Sequence, residues 1–499
     1  MGNYIVLKRH CAIIILTIVS AILIFTNLGN QYLWQDEAET ATLAKRVLEF
    51  GYPKAYDGVN LVNPRIRTGF GPNYEWKYHP WGQFYVTALS FKVFGMSAFA
   101  ARFPFAAMGV INILLLYLLA FILTRSRFVA GCAAFLTVFS VPYLLLMRQC
   151  RYYAPCVLWV LIILIFYVNW IKQNKRRWLL CLFVAFVALA YTVHGMFVPV
   201  FAALVLHYVV FEFKKENAIR IAALWLFILL FVLPWFLFSN SAAHAASISI
   251  ARVLKNLEFE FRMINKFIFP VLFFGSVYIF RAVFFRKITV KLTGDEKFLL
   301  KLILPVIAVS IVAFSFAEER NFRYQVYFIP LLAIVESIIL LRLVTYKRSL
   351  VVLFLAVSIL TGIFNMGYPN FYFPKYLYEI THDYDGPVEG IVKFLNKNAA
   401  PGDTVKIAYG DIPLMFYTKL KIDNSLIYDR DHMPKWVVFR RDWGEDLSDK
   451  YFSEIRAKYK EHVIDYPDIQ WENRPDDLVY HKFWTDRQAP RVRIYERNT

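Results

Sequence analysis

Asp36 and Glu37 stand side by side about eight residues beyond the first long apolar run, residues 11–28. A run of that length can cross a bilayer, which puts the pair at a water–lipid boundary, where carboxylates are costly and usually have a task. A carboxylate there can take a proton from an acceptor hydroxyl or hold a divalent cation. The stretch WQDEAETA at 34–41 is therefore the first place to look for a reaction. Capping a helix that runs on to Phe50 would account for one of the two acids but not for both.

Other reactive side chains fall in segments that a single topology puts on the same membrane face. Loop 30–80 also carries Glu39, Glu75, Lys77, Tyr78 and His79. MRQCRYY brings Arg148, Arg151 and Tyr152, a tight turn brings His194, and EERNFRY brings Glu318, Glu319, Arg320, Arg323 and Tyr324. Arginines at that depth can clamp a phosphate through paired N–H donors, and neighbouring apolar surface can hold a lipid chain. The set suits transfer of a group from a lipid phosphate to a hydroxyl or amine, with the arginines stabilising the charge that develops on the departing phosphate. Plainer roles stay open. Arg148 and Arg151 could end a helix at the headgroups, Arg320 and Arg323 could pair with Glu318 and Glu319, Glu75 and Lys77 could be a surface pair, and His194 could be a satisfied interhelical histidine. No HExxH or other close metal-ligand spacing is present, so a cation site would need ligands from distant loops.

The elements that must position these groups are mostly apolar helices. Of 499 residues, 58% are hydrophobic and 19% charged, against about half and a quarter in a soluble domain. After 11–28, apolar runs cover about 103–123, 128–147, 153–171, 178–194, 196–212, 218–238, 267–284, 298–316, 325–344 and 350–366. Basic residues cluster at 8–9, 125–127, 172–177, 214–220, 281–301 and 342–348. Placing all of these inside gives eleven crossings, with the chain starting inside and everything after 366 outside. Lys8 and Arg9 before the first span fit an uncleaved signal anchor. Residues 81–94 are apolar but short and contain Lys92, which fits an interfacial or half-penetrating helix.

The net charge of +19 is unevenly spread. From Gly367 onward there are 20 Lys and Arg against 22 Asp and Glu, leaving 36 against 15 in the rest of the chain. The basic excess therefore belongs to short loops facing anionic lipid, not to a nucleic-acid surface. All five cysteines lie in or beside apolar runs, so disulfides and thiolate metal sites are not expected. Residues 1–366 thus read as a transmembrane domain and 367–499 as a small soluble α/β domain. In the tail, helices are expected at 387–398 and 448–462, and strands at 405–409, 436–439 and 492–496.

WQDEAETA after the first span, YHPWGQFYVTALSFKVFGMSAFAARFP at 78–104, MRQCRYYAP at 147–155 and NFRYQVYFIPLL at 321–332 resemble, in that order, the glycosyltransferases of the GT-C fold. These include the protein O-mannosyltransferases and the aminoarabinose transferases that modify lipid A. The stretch VEGIVKFLNKNAAPGDTVKIAYGDIPLMFYT is similar to the periplasmic domain of many bacterial members. The resemblance implies a mainly α, polytopic GT-C fold with a C-terminal α/β domain. It also implies a single sugar moved from a polyprenyl-phosphate donor to a glycan, lipid or protein acceptor outside the bacterial inner membrane, with inversion at the anomeric carbon. On that basis Asp36 is the catalytic carboxylate with Glu37 supporting it, and Lys77, His79, Arg148, Arg151, Arg320 and Arg323 are the donor-phosphate candidates. Tyr78, Tyr152, His194 and Tyr324 border the site, and Glu75 stands where some relatives bind a divalent metal. Where relatives often have Pro-Pro, this chain has His79-Pro80, whose imidazole could meet phosphate, metal or acceptor. Two competing readings remain. A transporter or flippase would show an internal repeat and mid-membrane charges. A glycan ligase would also need an external phosphate clamp.

Overall fold

The computed structural model of the chain describes residues 2–63, 69–239, 249–271, 292–318, 320–346, 348–361, 372–424, 433–440, 449–469, 472–475 and 481–498. Glu319, most of the 267–284 run, the end of the 350–366 run and the basic residues at 281–291 lie outside them. The chain divides into two compact units, one of residues 1–26 and 105–377, the other of 27–104 and 378–499. Hydropathy alone divides the sequence at 366, because it registers only where apolar residues stop. The structure instead groups the first long loop with the tail, because the two bond to each other across sequence separations of 348 to 436 residues.

Among the described residues of the first unit the regular elements are all helices. Helix α1 is Gly2–Phe25, and α2 (Gln35–Phe50) and α3 (Gly82–Phe94) belong to the second unit. Then come α4 (Ala98–Thr124), α5 (Arg127–Val138), α6 (Val141–Met147), α7 (Tyr153–Gln173), α8 (Arg176–Ala190), α9 (His194–His207), α10 (Lys215–Ser239) and α11 (Ile250–Phe267). Helices Gly294–Ser315, Phe328–Tyr346 and Arg348–Thr361 follow. Five described helices are long and apolar enough to cross a bilayer: α4, α7, α9 with its π-helical extension to Glu212, α10 and Gly294–Ser315. The pair α5–α6 makes a sixth if it counts as one span, bent by 68° just before Pro142. Proline removes a backbone donor and crowds the preceding turn, which accounts for a break there. This is a multi-pass helical membrane protein.

In the second unit α2 and α3 pack against each other. Helix α3 has 13 residues, a rise of about 20 Å, short of the roughly 30 Å hydrocarbon layer. It buries Gln83, Phe84, Thr87 and Phe91 and exposes Tyr85, Leu89, Val93 and Phe94, an apolar stripe suited to a membrane interface. The tail forms a five-stranded sheet of β1 (Thr404–Ile407), β2 (Lys421–Asp423), β3 (Trp436–Phe439), β4 (Tyr459–Pro467) and β5 (Arg491–Arg497), in the order β2-β1-β3-β5-β4. β1 runs parallel to β2 and β3, while β5 is antiparallel to β3 and β4. Helix Pro387–Asn398 lies where the sequence puts it. The helix expected over 448–462 ends at Lys458, and the chain continues as β4. The charged run after Lys458 is compatible with either state, and register with β5 (Tyr459 opposite Arg497, His462 opposite Ile494) decides it. Helix Asp411–Tyr417 and β2 are too short to show a period in the sequence.

Candidate active site

Helix α2 begins without a side-chain cap: Trp34 is the N-cap residue, and Asp36 and Glu37 both lie in the first turn, at the positive end of the helix dipole. Their surroundings differ. Glu37 is fully buried, and Arg102 grips both its oxygens, Nε to Oε1 at 2.8 Å and Nη2 to Oε2 at 2.6 Å. Asn473 Nδ2 lies 3.5 Å from the same Oε2. Arg102 also donates to the carbonyls of Leu28, Gln31 and Tyr32, which fastens the descending chain to the start of α2. Asp36 is half-buried, and it is the strongest charge acting on the Tyr409 phenol. Burial first, then Asp36, pushes that phenol above its ordinary pKa and keeps it a neutral donor.

The rest of loop 30–80 is organised by a second buried arginine. Arg46 on α2 donates to the carbonyls of Lys54, Ala55 and Asn60 and pairs with Asp57 at 2.7 Å. Burial pulls the guanidinium below its ordinary value, while the Asp57 charge and hydrogen bond oppose this. His79 Nδ1 lies 3.3 Å from Oε1 of the buried Glu39, with Trp76 stacked on the imidazole at 6.4 Å and the exposed Tyr78 edge-on at 4.6 Å. The Glu75 carboxylate accepts the Asn73 amide at 3.1 Å and its Nδ2 at 3.0 Å. Burial, the largest single influence, raises it, but the hydrogen bonds within its turn and the Lys77 charge together hold it below the usual carboxylate range. Those oxygens already serve the turn, and among the described residues no three His, Cys, Asp or Glu side chains converge on a point. The residues present thus do not fit a metal at Glu75.

The basic residues lie in the other unit. Arg148 Nη1 donates to the carbonyls of Leu23, Ile24 and Thr26 and so caps the C-terminal end of α1. The buried Arg151 lies over the Tyr152 ring at 5.6 Å, Arg323 Nη1 is 3.3 Å from the Tyr153 hydroxyl, and Tyr152 lies in the fields of Arg151, Arg323, Tyr153 and Tyr324. Loops far apart in sequence, 148–153 and 321–325, thus bring two guanidiniums and three phenols together. Arg320 and His194 meet rings elsewhere: exposed Arg320 is 6.0 Å from Phe259 on α11, and His194 is edge-on to Phe236 at 5.8 Å.

Sequence reasoning did not single out Arg46 or Arg102. Arg102 had a signal, since it is the only charge between Lys92 and Arg125. Arg46 sits in an ordinary polar helix, and nothing in the sequence marks it.

Residues 78–239 match the family model of dolichyl-phosphate-mannose-protein mannosyltransferases. ArnT from Cupriavidus metallidurans, solved with bound undecaprenyl phosphate, superposes with a TM-score of 0.56 at 12% identity, over 97% of this chain and 98% of its own. Its apo form gives 0.58 at 13% identity, over 98% of each chain. The oligosaccharyltransferase of Archaeoglobus fulgidus, solved with zinc and sulfate, gives 0.54 at 13% identity, over 92% of this chain and 73% of its own. No curated protein sequence matches the chain. The chain thus shares the fold of these structures over nearly its whole length, and its residues 78–239 are similar to the mannosyltransferase family.

Proposed function

We propose that the protein moves a single sugar from a polyprenyl-phosphate donor to a hydroxyl or amine acceptor on the extracytoplasmic face of the bacterial inner membrane. One observation carries the reading: a half-buried carboxylate, Asp36, next to a fully buried Glu37 whose position is fixed by Arg102. The ion pair immobilises the first turn of α2, so the neighbouring carboxylate keeps its place without spending binding energy on order. Asp36 takes the acceptor proton or orients the acceptor lone pair. A bond forms from the acceptor to the anomeric carbon, the bond from that carbon to the phosphate oxygen breaks, and attack from the opposite face inverts the centre. Arg151 and Arg323 stabilise the charge on the departing lipid phosphate, with Tyr152 and Tyr324 at their sides. Lys77 and His79 are further phosphate contacts, the latter oriented by Glu39. Arg148 keeps its loop in register through the end of α1, and Arg320 and His194 act, if at all, at the rim. The lipid carrier is supported by the undecaprenyl phosphate bound to the superposed ArnT. The reading keeps eleven crossings, with 367–499 outside.

The test is Asp36→Asn in purified protein supplied with polyprenyl-phosphate sugars. Transfer is expected to vanish while insertion and thermal unfolding match the wild type. Turnover at the wild-type rate would remove Asp36 from the chemistry. A reporter fused after residue 174 should face the cytoplasm and one after 400 the outside.

A further inference from the structure

We propose that the carboxyl ends of β1 and β3 form the acceptor subsite of this enzyme, and that it takes a neutral, hydroxyl-bearing sugar of a glycan. The inference rests on the reaction assigned above and adds the class of acceptor. Its first support is topological. β1 and β3 are parallel neighbours at the middle of the sheet. After β1 the chain passes through helix Asp411–Tyr417 to β2 on one side, and after β3 it passes through helix Asp449–Lys458 to β4 on the other. Ligands of open α/β sheets bind outside the carboxyl ends of two such strands, where the onward connections part.

The second support is what stands at those ends. Tyr409 and Gly410 follow β1, and Arg440 follows β3. Gly410 has φ +94°, a conformation that favours glycine, and it places the Arg440 Nη1 3.6 Å from where a Cβ would lie. Arg440 is 3% exposed. Its Nε donates to Asp468 at 2.7 Å and its Nη2 to the Ile469 carbonyl at 2.9 Å, while Nη1 is buried without a partner among the described residues. Asp411, next to Gly410, accepts from Gln35 Nε2 at 2.6 Å and from Asn424 at 2.8 Å. The other end of that amide, Gln35 Oε1, is likewise buried without a partner among the described residues. A donor and an acceptor without partners among the described residues therefore stand beside consecutive residues of the same turn, Gly410 and Asp411, the kinds of group that a sugar hydroxyl meets.

Charges of both signs act on the Tyr409 phenol, Asp36 and Glu472 against Arg474 and Arg440, and Arg440 is already paired with Asp468. In so mixed a setting a polyhydroxyl ligand meets donors and acceptors alike. Gln35 adjoins Asp36, so a sugar held here presents its next hydroxyl to the reacting carboxylate. The same edge is tied to that helix turn again through Asn473 and Glu37.

The experiment uses full-length protein in nanodiscs. The probe is the water-soluble glycan released by mild acid from the envelope of a strain lacking this protein, followed by the shift in thermal unfolding. The glycan should raise the unfolding temperature of the wild type and of Asp36→Asn. Tyr409→Phe keeps the ring that lies 6.0 Å from the Arg440 guanidinium, and Gln35→Met keeps the side-chain length. Each should weaken glycan binding roughly tenfold, the scale of one lost hydrogen bond, and raise the acceptor KM more than it lowers kcat. Arg440→Lys should do the same if it folds, and the other two variants decide the matter if it does not. Equal glycan affinity in the wild type, Tyr409→Phe and Gln35→Met would overturn the subsite. So would protection by envelope peptides but not by glycan, or by neither. Loss of transfer in Asp36→Asn with unchanged glycan binding across the other variants would sink the subsite alone, whereas full transfer by Asp36→Asn would sink the reaction it serves.

Discussion

The arginines of the two units do different work. In the unit of 27–104 and 378–499, Arg46 and Arg102 are almost wholly buried, and their donors go to backbone carbonyls and carboxylates, three carbonyls each. In the other unit, Arg151 lies over a tyrosine ring and Arg323 reaches a phenol. One residue type thus stitches a long irregular loop in one place and meets tyrosines in another. Function at an arginine follows from what its five donors meet more than from its depth.

That contrast fails if the two groups respond alike to substitution. The largest effect is expected at Arg102→Ala, which leaves a buried Glu37 charge and three carbonyls without their donor. It should cost about 3–5 kcal/mol of stability and abolish transfer by losing the fold of the loop. Arg102→Met combined with Glu37→Leu should regain much of the thermal stability but not the activity. A melting curve unchanged by Arg102→Ala would show that the pair holds nothing. Arg323→Ala or Arg151→Ala should unfold near the wild-type temperature, with donor KM raised or kcat lowered by the equivalent of about 1.5–3 kcal/mol. Unchanged kinetics in both would make them rim residues. Arg148→Ala should fall between the two groups, losing some stability at the end of α1 and less catalysis.

The smallest effect is electrostatic and confined to the tail. Burial, partly offset by Arg440 and by the Val388 amide, pushes the Glu472 carboxyl up to about 7. Its folded pKa is thus above its unfolded one, so the folded state holds the proton longer and stability falls as pH rises from about 4.5 to about 7. Glu472→Gln removes that slope. Its melting temperature should exceed the wild type's above pH 7, and the gap should shrink toward pH 5. Parallel pH profiles would show that Glu472 is not protonated in the fold.

Much of this was legible beforehand, and the gaps have causes. WQDEAETA stands out because an acidic pair after an apolar run is costly, and the helix to Phe50 that the sequence offers only as a plainer account of one acid is present as α2, Gln35–Phe50. The sequence expects the 148–152 and 317–324 loops on one membrane face, and Arg151, Tyr152, Arg323 and Tyr324 lie near one another. The stitching of Arg46 was not, since its carbonyl partners carry no side-chain signature. The bond between Gln35 and Asp411 was equally hidden, because contacts 376 residues apart leave no local pattern. The length of β4 was misjudged because a charged, half-exposed strand and an amphipathic helix look alike until a partner strand exists.

The sheet order also has a consequence for biogenesis. β5 is made last of the five strands yet lies between β3 and β4, and the loop around Asp36 donates to Asp411 and the Leu420 carbonyl and accepts from Asn473. A nascent protein whose helices have all been inserted still lacks those supports. The surroundings of Asp36 are therefore complete only once the tail has been made and has folded onto the loop that carries it.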